Sequence, residues 1–180
     1  MPIQPAVSND VKALNAEVAT SLHGIEPSIS GYGLKLFPCE VVLDDGTAES
    51  RVYVVEPLGY IREWGVWPWQ DTGKRWIPAE RIRSIRSSPL RLPPHFANAL
   101  SSAGESGMGY CAFSVDLRDG RRLFFVTGNA VDFPCWPYGV KPIDVVAVHP
   151  HDRHPDHRHL SPRIDELGAQ YTWSPFRSID

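Results

Sequence analysis

Alternating apolar and polar positions predict a β-hairpin within residues 104–133. Residues 110–117 alternate, Asp119 and Gly120 supply a tight turn, and residues 123–126 form the returning strand. In an antiparallel pair the start of the first strand lies beside the end of the second. We therefore expect five polar residues to gather at one edge of this hairpin: Glu105, Ser106, Thr127, Asn129 and Asp132.

A second hairpin is predicted earlier in the chain. Residues 37–43 alternate, residues 44–50 contain the turn, and residues 51–55 form the return. A tryptophan-rich segment follows at residues 64–76. Residues 77–85 then fit either a short strand with a turn or a single helical turn, and the sequence leaves both open.

Two helices and one further strand complete the predicted elements. Apolar residues at three-to-four spacing predict a helix over residues 9–22, with Ser8 or Asn9 as its cap. Residues 92–103 contain two prolines near their start and predict a short connecting helix. Residues 142–148 read as a strand.

The two halves of the chain resemble each other. Each has a hairpin, then a Trp-Pro loop, then an aliphatic strand led by proline: residues 67–69 parallel residues 136–138, and residues 78–85 parallel residues 142–148. This pattern suggests an internal repeat, a duplicated β-unit of roughly 50 residues.

These elements predict a β-rich α+β protein. Two tandem β-hairpin-based units, either small curved sheets or half-barrels, are expected to pack together with an N-terminal helix and a short connecting helix. The predicted division gives residues 1–30 to the N-terminal helix and linker, 31–90 to the first β-unit, 91–148 to the connecting helix and second β-unit, and 149–180 to a His-rich C-terminal tail. All belong to one globular domain. Apolar residues late in the tail predict that it packs back on the body.

The charge pattern argues against two classes of partner. The formal net charge is −3, which gives no overall field to attract nucleic acid or an anionic membrane. Basic residues are concentrated in residues 62–91, but no nucleic-acid-binding motif accompanies them, so we interpret them as a solvated face. Nucleic acid is not expected as a partner. A membrane span is not expected either, because no apolar run approaches the required ~20 residues.

Cysteine usage favours the cytoplasm. Cys39, Cys111 and Cys135 form an odd set without a C-x-x-C motif, which is typical of small buried apolar residues in a reducing compartment. The first residues lack the basic and apolar regions of a signal peptide.

The glycine-rich entry to the later hairpin matches neither of two common catalytic motifs. Gly104 and Gly109 have the spacing of a phosphate-binding loop, but Tyr110 and Cys111 stand where that motif requires lysine and a hydroxyl residue. Met108 occupies the position where a nucleophile elbow requires glycine. A connection whose glycines supply positive φ angles is the simpler interpretation.

Two carboxylates are the candidate catalytic residues. Glu105 and Asp132, if adjacent, would suit acid–base chemistry or a divalent cation. The alternative is that Asp132 caps the turn that follows it.

The strongest compositional signal is a histidine cluster. Five histidines fall in residues 149–159, and imidazole with carboxylate suits a divalent metal such as zinc. The candidate ligands are His149, which directly follows a predicted strand, with His151 and His154. The spacing matches no zinc signature, so a solvated tail is the alternative.

Aromatic loops offer a candidate binding surface. Trp67, Trp69, Trp136 and Tyr138 lie beside prolines, and such side chains anchor protein interfaces. Alternatively, these rings plug the ends of short sheets.

Three functions remain in competition. The favoured one is a non-catalytic interaction module, of a binding or inhibitor/immunity type, which contacts another protein through the Trp-Pro loops and the polar hairpin edge. The second is a metal-assisted hydrolase with Glu105, Asp132 and His149 around one divalent ion. The third is a small-ligand sensor with a pocket between the two β-units.

Overall fold

The computed structural model describes residues 14–153 and the backbone of residues 172–175, and it confirms the β-rich α+β class. Its helices are α1 (Ala16–His23), α2 (Pro57–Trp64) and α3 (Pro94–Ala103). Its strands are β1 (Ser28–Ile29), β2 (Lys35–Leu43), β3 (Ala48–Val55), β4 (Arg75–Trp76), β5 (Ile82–Arg86), β6 (Cys111–Leu117), β7 (Arg122–Thr127), β8 (Val145–Pro150) and β9 (Thr172–Pro175). They form two sheets, and neither closes into a barrel within this described part of the chain.

The first sheet contains the earlier predicted hairpin. Its path runs β1-β2-β3-β9-β4, and β5 pairs with β2 beside that path. All pairs are antiparallel except those of β9, which lies parallel to both β3 and β4. For these four residues, the prediction that the tail returns to the body is confirmed.

The second sheet is built on the later hairpin and has the order β7-β6-β8. Gly120 has a φ angle of 87° in the predicted turn, a value that favours glycine. The strand predicted over residues 142–148 is a 3₁₀ turn, Pro142–Asp144, followed by β8. Residues 77–85 combine the two predicted alternatives, a helical turn and a short strand. A 3₁₀ turn, Ala79–Arg81, leads into β5.

Three strands of each sheet share one arrangement. We call β2, β3 and β5 the first array, and β6, β7 and β8 the second array. In each, the first hairpin strand lies in the middle, and the third strand pairs with it antiparallel. The register shifts just before Leu43, which pairs with Ile82, and just before Leu117, which pairs with Val145. This common register defines corresponding positions in the two arrays.

Helix α1 begins later than the sequence predicted. Residues 1–13, including the proposed caps Ser8 and Asn9, lie outside the described residues, but Leu14 and Asn15 are not helical. The Asn15 side chain accepts a hydrogen bond from the amide of Val18 at 2.8 Å, so it caps a helix that starts at Ala16. The predicted connecting helix is confirmed as α3, which begins at Pro94.

Each array has its own apolar core, and a third cluster joins them. Val18 and Leu22 of α1 pack against the first sheet, while Ala97 and Leu100 of α3 pack against the second. The joining cluster combines residues of the first sheet and α2 with two residues from the loop after β7: Leu34, Leu36, Tyr53, Val55 and Tyr60 with Ala130 and Phe133.

A buried ion pair lies at the same junction. Arg91 Nε donates to Asp132 Oδ1 at 3.1 Å, and the two side chains are 8% and 0% exposed. Ser28 donates to the same oxygen at 2.5 Å, and Arg91 Nη2 donates to Ser28 Oγ at 3.0 Å. The amide of Asp132 donates to the Tyr53 hydroxyl. This cluster therefore joins β1, β3, the segment before α3 and the loop after β7.

We predict that Arg91→Ala destabilises the protein by roughly 3–5 kcal/mol, because it leaves a carboxylate buried without its cation. The matched control is Arg121→Ala, which removes a guanidinium whose pair with Asp119 is 58% and 51% exposed. A surface pair of this kind contributes about 0–1 kcal/mol. Urea unfolding measures both variants, and equal stabilities would contradict the role given to Arg91.

Candidate functional site

The predicted polar edge of the second hairpin is not one site. Cys111 and Thr127 face each other where β6 starts and β7 ends, as expected. Thr127 is buried, however, and its hydroxyl donates to the carbonyl of Gly128 at 2.9 Å. Asn129 is exposed, and its side chain forms no hydrogen bond with the described residues.

The two candidate catalytic carboxylates have separate partners. Glu105 is exposed and accepts a hydrogen bond from the amide of Gly109 at 3.0 Å. Asp132 is buried beside Arg91, and burial raises the pKa of its carboxyl while Arg91 and Ser28 oppose that change. No hydrogen bond joins the two carboxylates, so Asp132 belongs to the structural junction.

Ser106 fixes the start of the tail. Its hydroxyl lies 2.9 Å from Nδ1 of His151 and accepts a hydrogen bond from the amide of Ala112 at 2.8 Å. The other ring nitrogen of His151 lies 3.0 Å from the carbonyl oxygen of Ala103. Arg153 donates to the carbonyl of Ser106 at 2.8 Å. Two sequence candidates, Ser106 and His151, are thus brought together as an anchor of the chain.

A charged cluster crosses the outer part of the second sheet. Arg122 makes a bidentate contact with Asp116, and His149 Nε2 lies 2.7 Å from the same carboxylate. Nearby, buried Ser114 donates to Asp152 at 2.6 Å. The Arg122 hydrogen bonds and then the His149 contact lower the pKa of Asp116 to about 2. Sequence reasoning missed Asp116 and Arg122, although their opposite charges on facing strands were an available signal.

The predicted metal site is not formed by the described residues. They contain no group of three or more His, Cys, Asp or Glu side chains placed to hold a metal ion. His149 lies within β8, not after it, and pairs with Asp116, while His151 contacts Ser106. Glu105, Asp132 and His149 therefore do not share a divalent ion, and His154 lies outside the described residues.

The Trp-Pro loops serve mainly as packing. Trp67 is 8% exposed and stacks on Trp69 with ring centroids 4.9 Å apart. Trp136 packs against Phe125 and donates its indole N–H to the carbonyl of Leu90 at 2.8 Å. Among the four candidate aromatic residues, Trp69 at 38% and fully exposed Tyr138 remain available to a partner. The burial of Trp67 and the contacts of Trp136 fit the alternative that these rings serve in packing.

Lys74 holds the remaining tryptophan-rich segment together. Its ammonium lies 5.1 Å from the centroid of the Tyr60 ring and 4.9 Å from that of Trp64. It also donates to Asp71 at 2.7 Å, which contributes to lowering the pKa of that carboxyl against the effect of burial. This cation–π cluster ties the loop before β4 to α2.

We call the end of each array that carries its hairpin turn the turn end. In the first array, side-chain ion pairs bridge this end. Asp44 donates its amide to the carbonyl of Arg81 at 2.8 Å. The Arg81 guanidinium then reaches back to two carboxylates, Asp44 at 3.1 Å and Asp45 at 2.9 Å. The 3₁₀ turn before β5 is therefore joined to the hairpin turn between β2 and β3 by a backbone hydrogen bond and two solvent-exposed ion pairs.

At the turn end of the second array the acidic and basic residues have exchanged positions relative to the first array, and no ion pair bridges them. Arg118 donates its amide to the carbonyl of Asp144 at 2.8 Å, so these residues stand where Asp44 and Arg81 stand in the first array. Their side chains, however, form no ion pair or hydrogen bond with each other or with other described residues. A cavity of about 270 Å³ lies here instead, lined by Leu117, Arg118, Asp119, Arg121, Val140 and Asp144.

Three exposed apolar side chains lie close in sequence to residues that line this cavity, Val140 and Asp144. Ile143 is 69% exposed at the middle of the 3₁₀ turn before β8, where the first array has the exposed Glu80. Val146 is 51% exposed at the second residue of β8, where β5 has the exposed Arg83. Tyr138 precedes Val140 on the same loop. We define the turn-end surface by these six residues: Arg118, Tyr138, Val140, Ile143, Asp144 and Val146.

Comparisons with known proteins add no relative. No protein-family model, curated protein or solved structure matches this chain. In the described part of the chain, no helix has both the length and the apolar character needed to cross a membrane.

The cysteines differ in accessibility. Burial raises the pKa of the Cys39 thiol to about 12 and that of Cys111 to about 11. Both fit the prediction of small buried apolar residues, but that prediction is wrong for Cys135, which is exposed in the loop after β7.

We predict that a thiol reagent modifies Cys135 alone in the native protein and all three cysteines after unfolding, because the buried thiols are inaccessible and poorly ionised. Mass spectrometry of the labelled chain counts and locates the modifications. Rapid native labelling of Cys39 would contradict the packing of the first core.

We also predict that Arg122→Gln raises the pKa of Asp116 toward the ordinary aspartate value of about 4. The folded carboxyl binds its proton less tightly than the unfolded one, so the interaction stabilises the protein above about pH 4. That contribution is lost as the pH falls from about 4 to about 2. Carboxyl NMR titration of the wild type and the variant measures the change. An Asp116 that titrates identically in both would exclude Arg122 as the main cause.

Proposed function

We propose that this protein is a non-catalytic interaction module that binds another protein chain through the turn-end surface. We also propose that the two arrays are copies of one ancestral unit, and that the second copy has become the binding copy. The shared strand order and the shared position of the register shift support the second proposal.

The open turn end carries the functional proposal. The first array closes this position with the Arg81 ion pairs, whereas the second leaves Arg118 and Asp144 unpaired beside a cavity. Apolar Ile143 and Val146 are exposed at positions where the first array keeps charged residues. Exposed apolar side chains next to arginine are typical of protein interfaces.

The cavity lies just below the usual size range of small-ligand pockets. Pockets for drug-sized ligands usually have volumes of ≈300–1,000 Å³ and enclose most of their ligand. A cavity of about 270 Å³ suits one or two side chains of a partner. The hydrolase hypothesis loses its support, because Glu105, Asp132 and His149 each have other partners.

We infer a reducing compartment, the cytoplasm, as the place where the module acts. Three free cysteines, two of them buried, support this inference, because disulfides are rare there.

We predict that the double variant Ile143→Glu/Val146→Arg loses partner binding by about tenfold or more, because it removes two apolar contacts. Each change copies the residue of the first array at the corresponding position, so the fold should accept it. Immobilised protein is incubated with an extract of the cells that naturally produce it, and captured proteins are quantified by mass spectrometry.

The matched control is Leu58→Glu/Met108→Arg, which introduces the same charges at two other exposed apolar positions. It should capture the same proteins as the wild type. Unchanged capture by a folded Ile143→Glu/Val146→Arg protein would refute the turn-end surface as the binding site.

A further inference from the structure

We propose that the occupant of the turn-end surface is a second copy of this chain, related by a two-fold axis. This inference rests on the proposed function, because it identifies the partner of the same surface. In the resulting dimer, Arg118 of each copy pairs with Asp144 of the other.

The unpaired charges are the first argument. Asp44 and Arg81 satisfy each other within the first array, with nitrogen and oxygen 3.1 Å apart. Arg118 and Asp144 hold the corresponding positions and share the same backbone hydrogen bond of 2.8 Å. Among the described residues, neither side chain has an ion-pair or hydrogen-bond partner. The turn end of the second array therefore presents a cation and an anion that are solvated and form no pair within the described part of the chain.

Symmetry makes this arrangement self-complementary. At a two-fold interface, if residue i of one copy contacts residue j of the other, then residue j of the first copy also contacts residue i of the second. A single Arg118–Asp144 contact between copies therefore creates a second one, and both pairs of charges are satisfied at once. An unrelated partner would need its own anion and cation at matching positions.

The apolar surroundings suit the same interface. Ile143 and Val146 are 69% and 51% exposed, and Tyr138 is fully exposed. Homodimer interfaces bury such residues in a core richer in apolar area than the rest of the surface. A net charge of −3 on each copy gives only weak repulsion.

The test is a charge-reversal experiment with mixing. Arg118→Asp and Asp144→Arg each introduce the residue that the first array has at that position. Each variant alone would place like charges across both contacts, so we expect each to dimerise at least tenfold more weakly than the wild type. Mixed in equal amounts, the two variants restore both attractive contacts and should form a heterodimer.

Sedimentation equilibrium of wild type, each variant and the mixture gives the dissociation constants. Arg83→Asp in the first array is the control and should dimerise like the wild type, and thermal melting of each variant checks its fold. The mixture recovers affinity only if both variants are folded and the contact is reciprocal.

The possible outcomes are distinct. A wild type that stays monomeric at about 100 µM, or single variants that dimerise as well as the wild type, overturns the second-copy inference. The proposed function would survive that result if the wild type still captures a different protein that the Ile143→Glu/Val146→Arg variant loses. If both experiments fail, the turn-end surface is not a binding site and the proposed dimer is refuted with it.

Discussion

The contact between Arg91 and Asp132 is the constraint on which the arrangement of the two halves depends. Burying both groups carries a desolvation cost that only good geometry and added hydrogen bonds offset. Ser28 in β1 supplies such a bond to the carboxylate, and Tyr53 in β3 accepts a hydrogen bond from the Asp132 amide. An apolar cluster alone would tolerate sliding between the halves, whereas this junction requires one alignment. We infer that the ion pair contributes specificity more than net stability.

The two arrays share one backbone arrangement but present different side chains at their turn ends. Backbone hydrogen bonds at the turn end are the same length in both, 2.8 Å from Asp44 to Arg81 and from Arg118 to Asp144. The side chains attached to that framework decide whether the end is closed or open. Because the framework is held by strand pairing, charges and apolar groups at the turn end are free to differ without disturbing either core.

The sequence predicted the fold much better than the site. Both hairpins follow from local alternation and a turn at Asp-Gly, which are short-range properties. The residues of the candidate polar edge do not come together, because Asp132 is paired with Ser28 and Arg91, which lie 104 and 41 residues away in sequence. Trp67 was a candidate for binding because its neighbours are loop residues, but loop position does not determine burial. The open turn end becomes visible only when the registers of the two arrays are compared.

The position of β9 late in the chain determines the order in which the two sheets can be completed during synthesis. It inserts between β3 and β4, although more than 100 residues separate it from β3 in the chain. A nascent chain therefore holds everything needed for the second sheet before it holds the last partner of the first. Until then the edge of β3 presents unpaired backbone groups, which are a template for pairing with other chains. On the ribosome, the second sheet is thus able to form first, and the first sheet is completed only when β9 emerges.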